Sequence, residues 1–177
     1  MYLAKSLYTA LAMETIVSVV EKKDIGSIES RPIPEALSEK LACFVSIHLT
    51  DGSLRGCIGT IEPREENLYH EIITNAISAA TKDTRFLPLK KSELDSIEIS
   101  VDVLSKPVIV DKLDSLDPQK FGVIVSDGAF ARGVLLPALE GVETVEKQIN
   151  IAKRKAGLSD WKTKDLKIYA FTSVRYY

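Results

Sequence analysis

Apolar residues recur at helical spacing along the first two dozen positions: Leu3, Leu7, Ala10, Leu11, Met13, Ile16, Val17 and Val20. Steps of three and four place them on one stripe, and Lys22-Lys23 follow where the C-terminal end of a helix favours positive charge. Residues 3–23 are therefore predicted to form one amphipathic helix. Ser30 to Pro34 holds two prolines and reads as a connecting loop. Residues 41–49 and 53–60 are β-rich runs separated by Asp51-Gly52, the signal for a hairpin closed by a two-residue type I′ turn. That turn sets a register with Leu49 opposite Leu54, His48 opposite Arg55, Ile47 opposite Gly56, Ser46 opposite Cys57 and Val45 opposite Ile58. Opposed residues share a face, so Val45, Ile47, Leu49, Leu54 and Ile58 are expected in the core. Phe44, Ser46, His48, Arg55 and Cys57 are expected on the other side.

Glu65 to Thr81 reads as a helix with an apolar stripe of Leu68, Ile72, Ala76, Ala79 and Ala80 and with Asn67 near its start. Lys82 to Leu89 is then its exit loop. Ile97, Ile99, Val101 and Val103 alternate with Glu98, Ser100 and Asp102, the pattern of a half-buried strand. Phe121 to Ser126 and Ala129 to Leu135 flank Asp127-Gly128 as a second hairpin. Val145, Ile149, Ala152 and Ala156 mark a helix ending at Gly157, and Leu166, Ile168 and Ala170 a last strand. Helices and strands do not alternate strictly and two hairpins are expected. The predicted class is α+β, with a largely antiparallel sheet and flanking helices.

A chain of 177 residues with 45% hydrophobic composition has enough apolar surface for one domain. The 23 basic residues are scattered among 25 acidic ones, for a net charge of -2, and no dense basic block offers a general nucleic-acid surface. The start of the chain lacks a basic segment leading into an apolar run, and no stretch approaches a membrane span, so a cytoplasmic location is expected. Cys43 and Cys57 are the two cysteines. Neither has metal-ligand spacing, and their opposite parity in the hairpin disfavours a disulfide.

The chemistry concentrates in Leu54-Arg55-Gly56-Cys57-Ile58-Gly59-Thr60. Glycine weakens a strand and is used where another backbone or a ligand must come close. Cys57 is read either as a nucleophile or carrier of an intermediate, activated by Arg55 with His48 diagonally across as a candidate partner, or as a small buried hydrophobe. Gly56 and Gly59 serve either to converge amides on an anion, with Arg55 and Arg85 beside it, or to pack the hairpin closely against another element. Asp83 and Arg85 form either a structural ion pair or the border of the same cleft as Cys57. His70 lies on the polar side of its helix and reads as solvated.

These residues also carry a resemblance. The seven-residue motif is similar to the signature of the AMMECR family, and Asp83-Thr84-Arg85-Phe86-Leu87-Pro88-Leu89 resembles its Asp-Pro-Arg-Phe-x-Pro-Leu segment, with Thr84 where that pattern has proline. Ile97 to Pro107, Gly133 to Pro137 and Lys155 to Leu158 resemble further family segments in the same order. The resemblance implies a single family domain over the whole chain, 1–177, built as two intertwined α+β lobes. The residues themselves leave two functions open, and the resemblance bears on both: an enzyme or enzyme component with a small-molecule cleft around Arg55, Gly56, Cys57, Gly59, Asp83 and Arg85, suited to an anionic molecule, or a scaffold module docking a protein through the same motif. The implied partners are a Memo-like protein and a radical S-adenosylmethionine enzyme. This chain lacks the three-cysteine motif that holds an iron-sulfur cluster, so no cofactor of its own is expected.

Overall fold

In the computed structural model, which describes residues 5–177, helix α1 runs Leu7–Val20. Leu3, the first residue of the predicted stripe, lies outside the described residues. Ser6 sets the start by accepting the Thr9 N–H at 3.2 Å, a normal N-cap. The helix stops at Val20 and Lys22 adopts a left-handed φ of 57°, so the two lysines lie beyond the helix instead of completing it. Leu11 and Ile16 of the stripe are buried, together with Ala12 outside it, while Leu7 and Ala10 are exposed. A short helix α2, Gly26–Glu29, follows.

Strands β1 (Cys43–Leu49) and β2 (Leu54–Gly59) form the expected antiparallel hairpin, but its turn differs. The Gly52 N–H donates to Leu49 O at 2.8 Å, the Leu49 N–H to Ser53 O at 2.8 Å, and Gly52 sits at φ 84°. This is a three-residue loop with glycine in the left-handed region, not a two-residue type I′ turn. The extra loop residue puts His48 opposite Leu54, and a bulge between Ile47 and His48 then restores the predicted pairs from Ile47–Gly56 to Val45–Ile58, with Phe44 opposite Gly59 beyond them. Two expectations are corrected as a result. Arg55 does not face His48, and Leu54 lies on the outer side at 37% exposure instead of in the core.

Helix α3 spans Leu68–Thr81, three residues later than predicted, because Asn67 is its N-cap and accepts the His70 N–H at 3.0 Å. Strand β3 (Ile97–Leu104) pairs with β1 along its length. The chain then builds β4 (Val108–Ile109), β5 (Gly122–Ser126), β6 (Arg132–Leu135), helix α4 (Val145–Ala156) and β7 (Lys167–Phe171), and ends in β8 (Ser173–Tyr176). The two four-stranded sheets have the orders β2-β1-β3-β8 and β4-β7-β5-β6.

Two compact units result. The first runs to Val103 and is resumed at Val174–Tyr177, and the second is Leu104–Ser173, so the units are interleaved in sequence. In the first, α3 packs on β1 and β2 and α1 packs on α3, around a core that includes Ile16, Val45, Ile47, Ile72, Ala76, Ile99 and Val101. Ser100 and Asp102, predicted to lie on a solvated face, are buried, while Glu98 of the same parity is exposed; β3 lies between β1 and β8 in the sheet. From β8, Arg175 clamps Asp102 through Nε and Nη2 at 2.9 and 3.0 Å. In the second unit, α4 packs on β5 and β6 over Val123, Val125, Ile149 and Ala152, and Gly157 ends it at φ 72°.

Candidate functional site

Strand β2 is the outer strand of its sheet, so alternate peptide groups face away from β1 and need partners. At Cys57 those partners come from the loop after α3. Asp83 Oδ2 accepts the Cys57 N–H at 2.8 Å, and Arg85 Nη2 donates to the Cys57 carbonyl at 3.3 Å. Asp83 and Arg85 are joined to each other: Nε donates to Oδ1 at 2.9 Å, Nη2 to Oδ2 at 2.7 Å, and the Arg85 N–H to Oδ1 at 3.1 Å. An acid and a base two residues apart thus occupy the backbone donor and acceptor of one edge residue, as a neighbouring strand would. The Arg85 guanidinium, with the Cys57 and Arg85 amides, holds the buried Asp83 carboxyl well below the usual carboxylate range.

The two glycines of the motif serve close packing. A Cβ on Gly56 would stand 2.5 Å from the Ala79 carbonyl oxygen of α3, and one on Gly59 would strike the Phe44 ring and the Cys43 carbonyl. Helix α3 rests directly on the β2 backbone, and its final turn delivers Asp83 to the strand edge. The Leu89 N–H donates to Ala80 O at 2.8 Å and closes the loop.

The Cys57 thiol is half-buried and accepts a hydrogen bond from Ser46 Oγ at 3.2 Å. Burial pushes its pKa up, against the pull of Ser46 and the Arg85 charge, so it is a neutral thiol at physiological pH. Cys43 is sealed in the core and pushed up to about 12, chiefly by burial. Arg55 does not supply the positive setting expected for the thiol. Its Nε and Nη2 bind Glu93 at 2.7 and 3.1 Å, and the charge acting on Cys57 is that of Arg85. Both guanidiniums lie over the Phe86 ring, at 5.8 Å for Arg55 and 5.5 Å for Arg85. His48 has its pKa lowered by burial first and then by the Arg175 charge, and it faces Leu54. The sulfur of Cys57 takes its hydrogen bond from Ser46 and not from this imidazole.

Cys57, Asp83 and Arg85 therefore form one hydrogen-bonded cluster, Arg55 joins it through Phe86, and His48 stays outside. Glu71 was not singled out from the sequence. Buried on α3, it accepts from the Arg64 and Glu65 amides at 2.8 Å each and from the Thr60 hydroxyl, and so fixes the chain leaving β2. The signal was present: Leu68, Glu71, Ile72, Asn75 and Ala76 share one helical face, so an acid and an amide stand within an apolar stripe. Among the described residues no group of His, Cys, Asp or Glu has the geometry to hold a metal ion, and no helix is long and apolar enough to cross a membrane.

The AMMECR1 family model matches residues 9–176. A Thermotoga maritima protein is 54% identical over 145 residues, covering 81% of this chain and 82% of that protein. A Clostridium acetobutylicum protein is 44% identical over 155 residues, covering 87% of this chain but only 32% of that protein. Among solved structures, an uncharacterized protein from Pyrococcus horikoshii superposes with a TM-score of 0.83 at 29% identity, over 95% of this chain and 88% of that one.

Proposed function

This chain belongs to the AMMECR1 family, and on that premise we propose that it acts as a binding module, docking a protein partner at the loop that clasps Cys57. The observation that carries the reading is the Asp83–Arg85 clasp itself. It uses the donor and the acceptor of the Cys57 peptide internally, while α3 fills the space beside Gly56, which takes away the open backbone a small anion would need. The same clasp fixes a loop whose outer surface is Thr84, the exposed Arg85, Leu87 at 75% exposure and Pro88. A loop already rigid in its bound shape forgoes little entropy on binding. Its chemistry suits a partner with an apolar recess flanked by a carboxylate.

The family resemblance points to a Memo-like protein or a radical S-adenosylmethionine enzyme as that partner. The Clostridium relative, in which the matched region is about a third of the chain, supports a unit used in combination with other sequence. The test is isothermal titration against those two candidates with Leu87→Asp and Cys57→Ser. Leu87→Asp should weaken binding at least about tenfold with unchanged melting, and Cys57→Ser should leave affinity intact. The second reading, small-molecule chemistry at a thiol beside Arg85, rests on the partial exposure of Cys57. It takes over if Cys57→Ser removes a turnover or a covalent adduct while Leu87→Asp changes nothing.

A further inference from the structure

A separate surface, confined to the second unit, carries a knob and a socket. The knob is Phe130, 99% exposed at the tip of the β5–β6 hairpin. Its loop is held by local hydrogen bonds: Asp127 Oδ1 accepts the Ala129 and Ala131 amides at 2.8 and 3.1 Å, and Ser126 Oγ accepts the Gly128 amide at 3.0 Å. An aromatic ring left in water on an ordered loop has the form of a binding anchor, since its ordering cost is already met. The socket is a cavity of about 510 Å³ walled by Leu113, Leu116, Val145 and Ile149, with Asp114 and Glu146 as its charged members. It has room for a phenyl ring.

Helix α4 relates the two. Gly133, just after the knob loop, lies against Ala152 and Ala156 in the C-terminal half of α4, whereas Val145, Glu146 and Ile149 of the socket belong to its N-terminal half. Knob and socket thus flank opposite ends of a helix about 18 Å long. Charge follows the same polarity. Glu146 marks the socket end, and Arg154 and Lys155 the knob end, where Lys167 lies alongside Gly128.

We propose that two copies of the chain associate about a two-fold axis with their α4 helices antiparallel, each Phe130 entering the other's α4 cavity. That arrangement sets socket end against knob end twice, matches acid to base at both contacts, and closes without leaving a knob or socket open for further addition. Each ring buries on the order of 150–250 Å². With the socket walls counted, the contact is at the small end of specific interfaces, so the dimer is weak, reversible and salt-sensitive.

Sedimentation equilibrium from micromolar to near-millimolar protein tests this. The expected result is a monomer–dimer equilibrium that weakens with salt. Phe130→Ser should raise the dissociation constant at least about tenfold. Its melting temperature should be unchanged, because the ring makes no intramolecular core contact. Glu146→Lys and Lys167→Glu should each weaken the dimer, and the double variant should recover most of the affinity by restoring opposite charges across the contact. A monomer at every concentration, a dimer indifferent to Phe130→Ser, or a charge exchange without recovery each overturns the proposal. So does a chain that stays monomeric while Phe130 binds lipid vesicles.

Discussion

Replacing Asp83 by asparagine isolates the clasp. The native carboxylate accepts four hydrogen bonds, at 2.7 to 3.1 Å, from the Cys57 amide and from the main chain and side chain of Arg85. Asparagine keeps one acceptor oxygen and turns an NH₂ group toward donors, so about half of these contacts are lost and one donor faces another. Hydrogen bonds to a charged group contribute roughly 1.5–3 kcal/mol each. Arg85 is more than half exposed and is rehydrated when released, which reduces its share and leaves an expected loss of about 2–4 kcal/mol. For a chain of this size that is a fall in Tm of roughly 4–16 °C. The sign with pH follows from the depressed carboxyl. A group whose pKa is lowered by folding contributes stability that is fully present above the unfolded carboxylate value, near 4, and is lost as pH falls through the folded one. The gap between wild type and Asp83→Asn, read by urea unfolding, should be constant from pH 8 to about 5 and should narrow at lower pH. Equal stabilities at pH 7, or a gap of the same size at pH 3, would refute the clasp as an ionised acceptor.

Gly56→Ala should cost about 1–3 kcal/mol, because its Cβ would stand 2.5 Å from the Ala79 oxygen and the α3 backbone must shift. An unchanged Tm would mean that α3 does not rest on β2 as described. In folded protein, timed alkylation with site mapping should modify Cys57 well before Cys43, and the Cys57 rate should keep rising with pH through 8 because its pKa is raised. A plateau near neutral pH would instead reveal a stabilised thiolate. Glu71→Gln should release the turn after β2, seen as faster hydrogen exchange at the Arg64 and Glu65 amides, and unaltered protection would show that Glu71 does not hold them.

Elements whose causes are local are legible in the order of residues alone. The alternation from Ile97 to Val103 forces a strand, the three-and-four spacing from Leu68 to Ala80 forces a helix, and Gly157 ends α4 because its left-handed φ suits glycine. The order of the motifs identified the family, and the parity of the first hairpin placed Cys43 inward and Cys57 outward, since the side-chain period of a strand is two. The contacts these residues make depend on the folded chain. The bulge between Ile47 and His48, which leaves Arg55 without an opposed residue, depends on how a three-residue loop is reconciled with a register that β3 and α3 also constrain. The partner of the Cys57 amide lies 26 residues away, and that of Arg55 lies 38. β8 joins the first sheet only after the whole second unit has been built. Such contacts leave no periodic trace in a sequence, because they are selected by the total burial of the folded chain and not by the preferences of neighbouring residues. Gly56 shows both limits. The sequence revealed that something must approach its backbone closely, and the fold supplied the answer, a helix carbonyl.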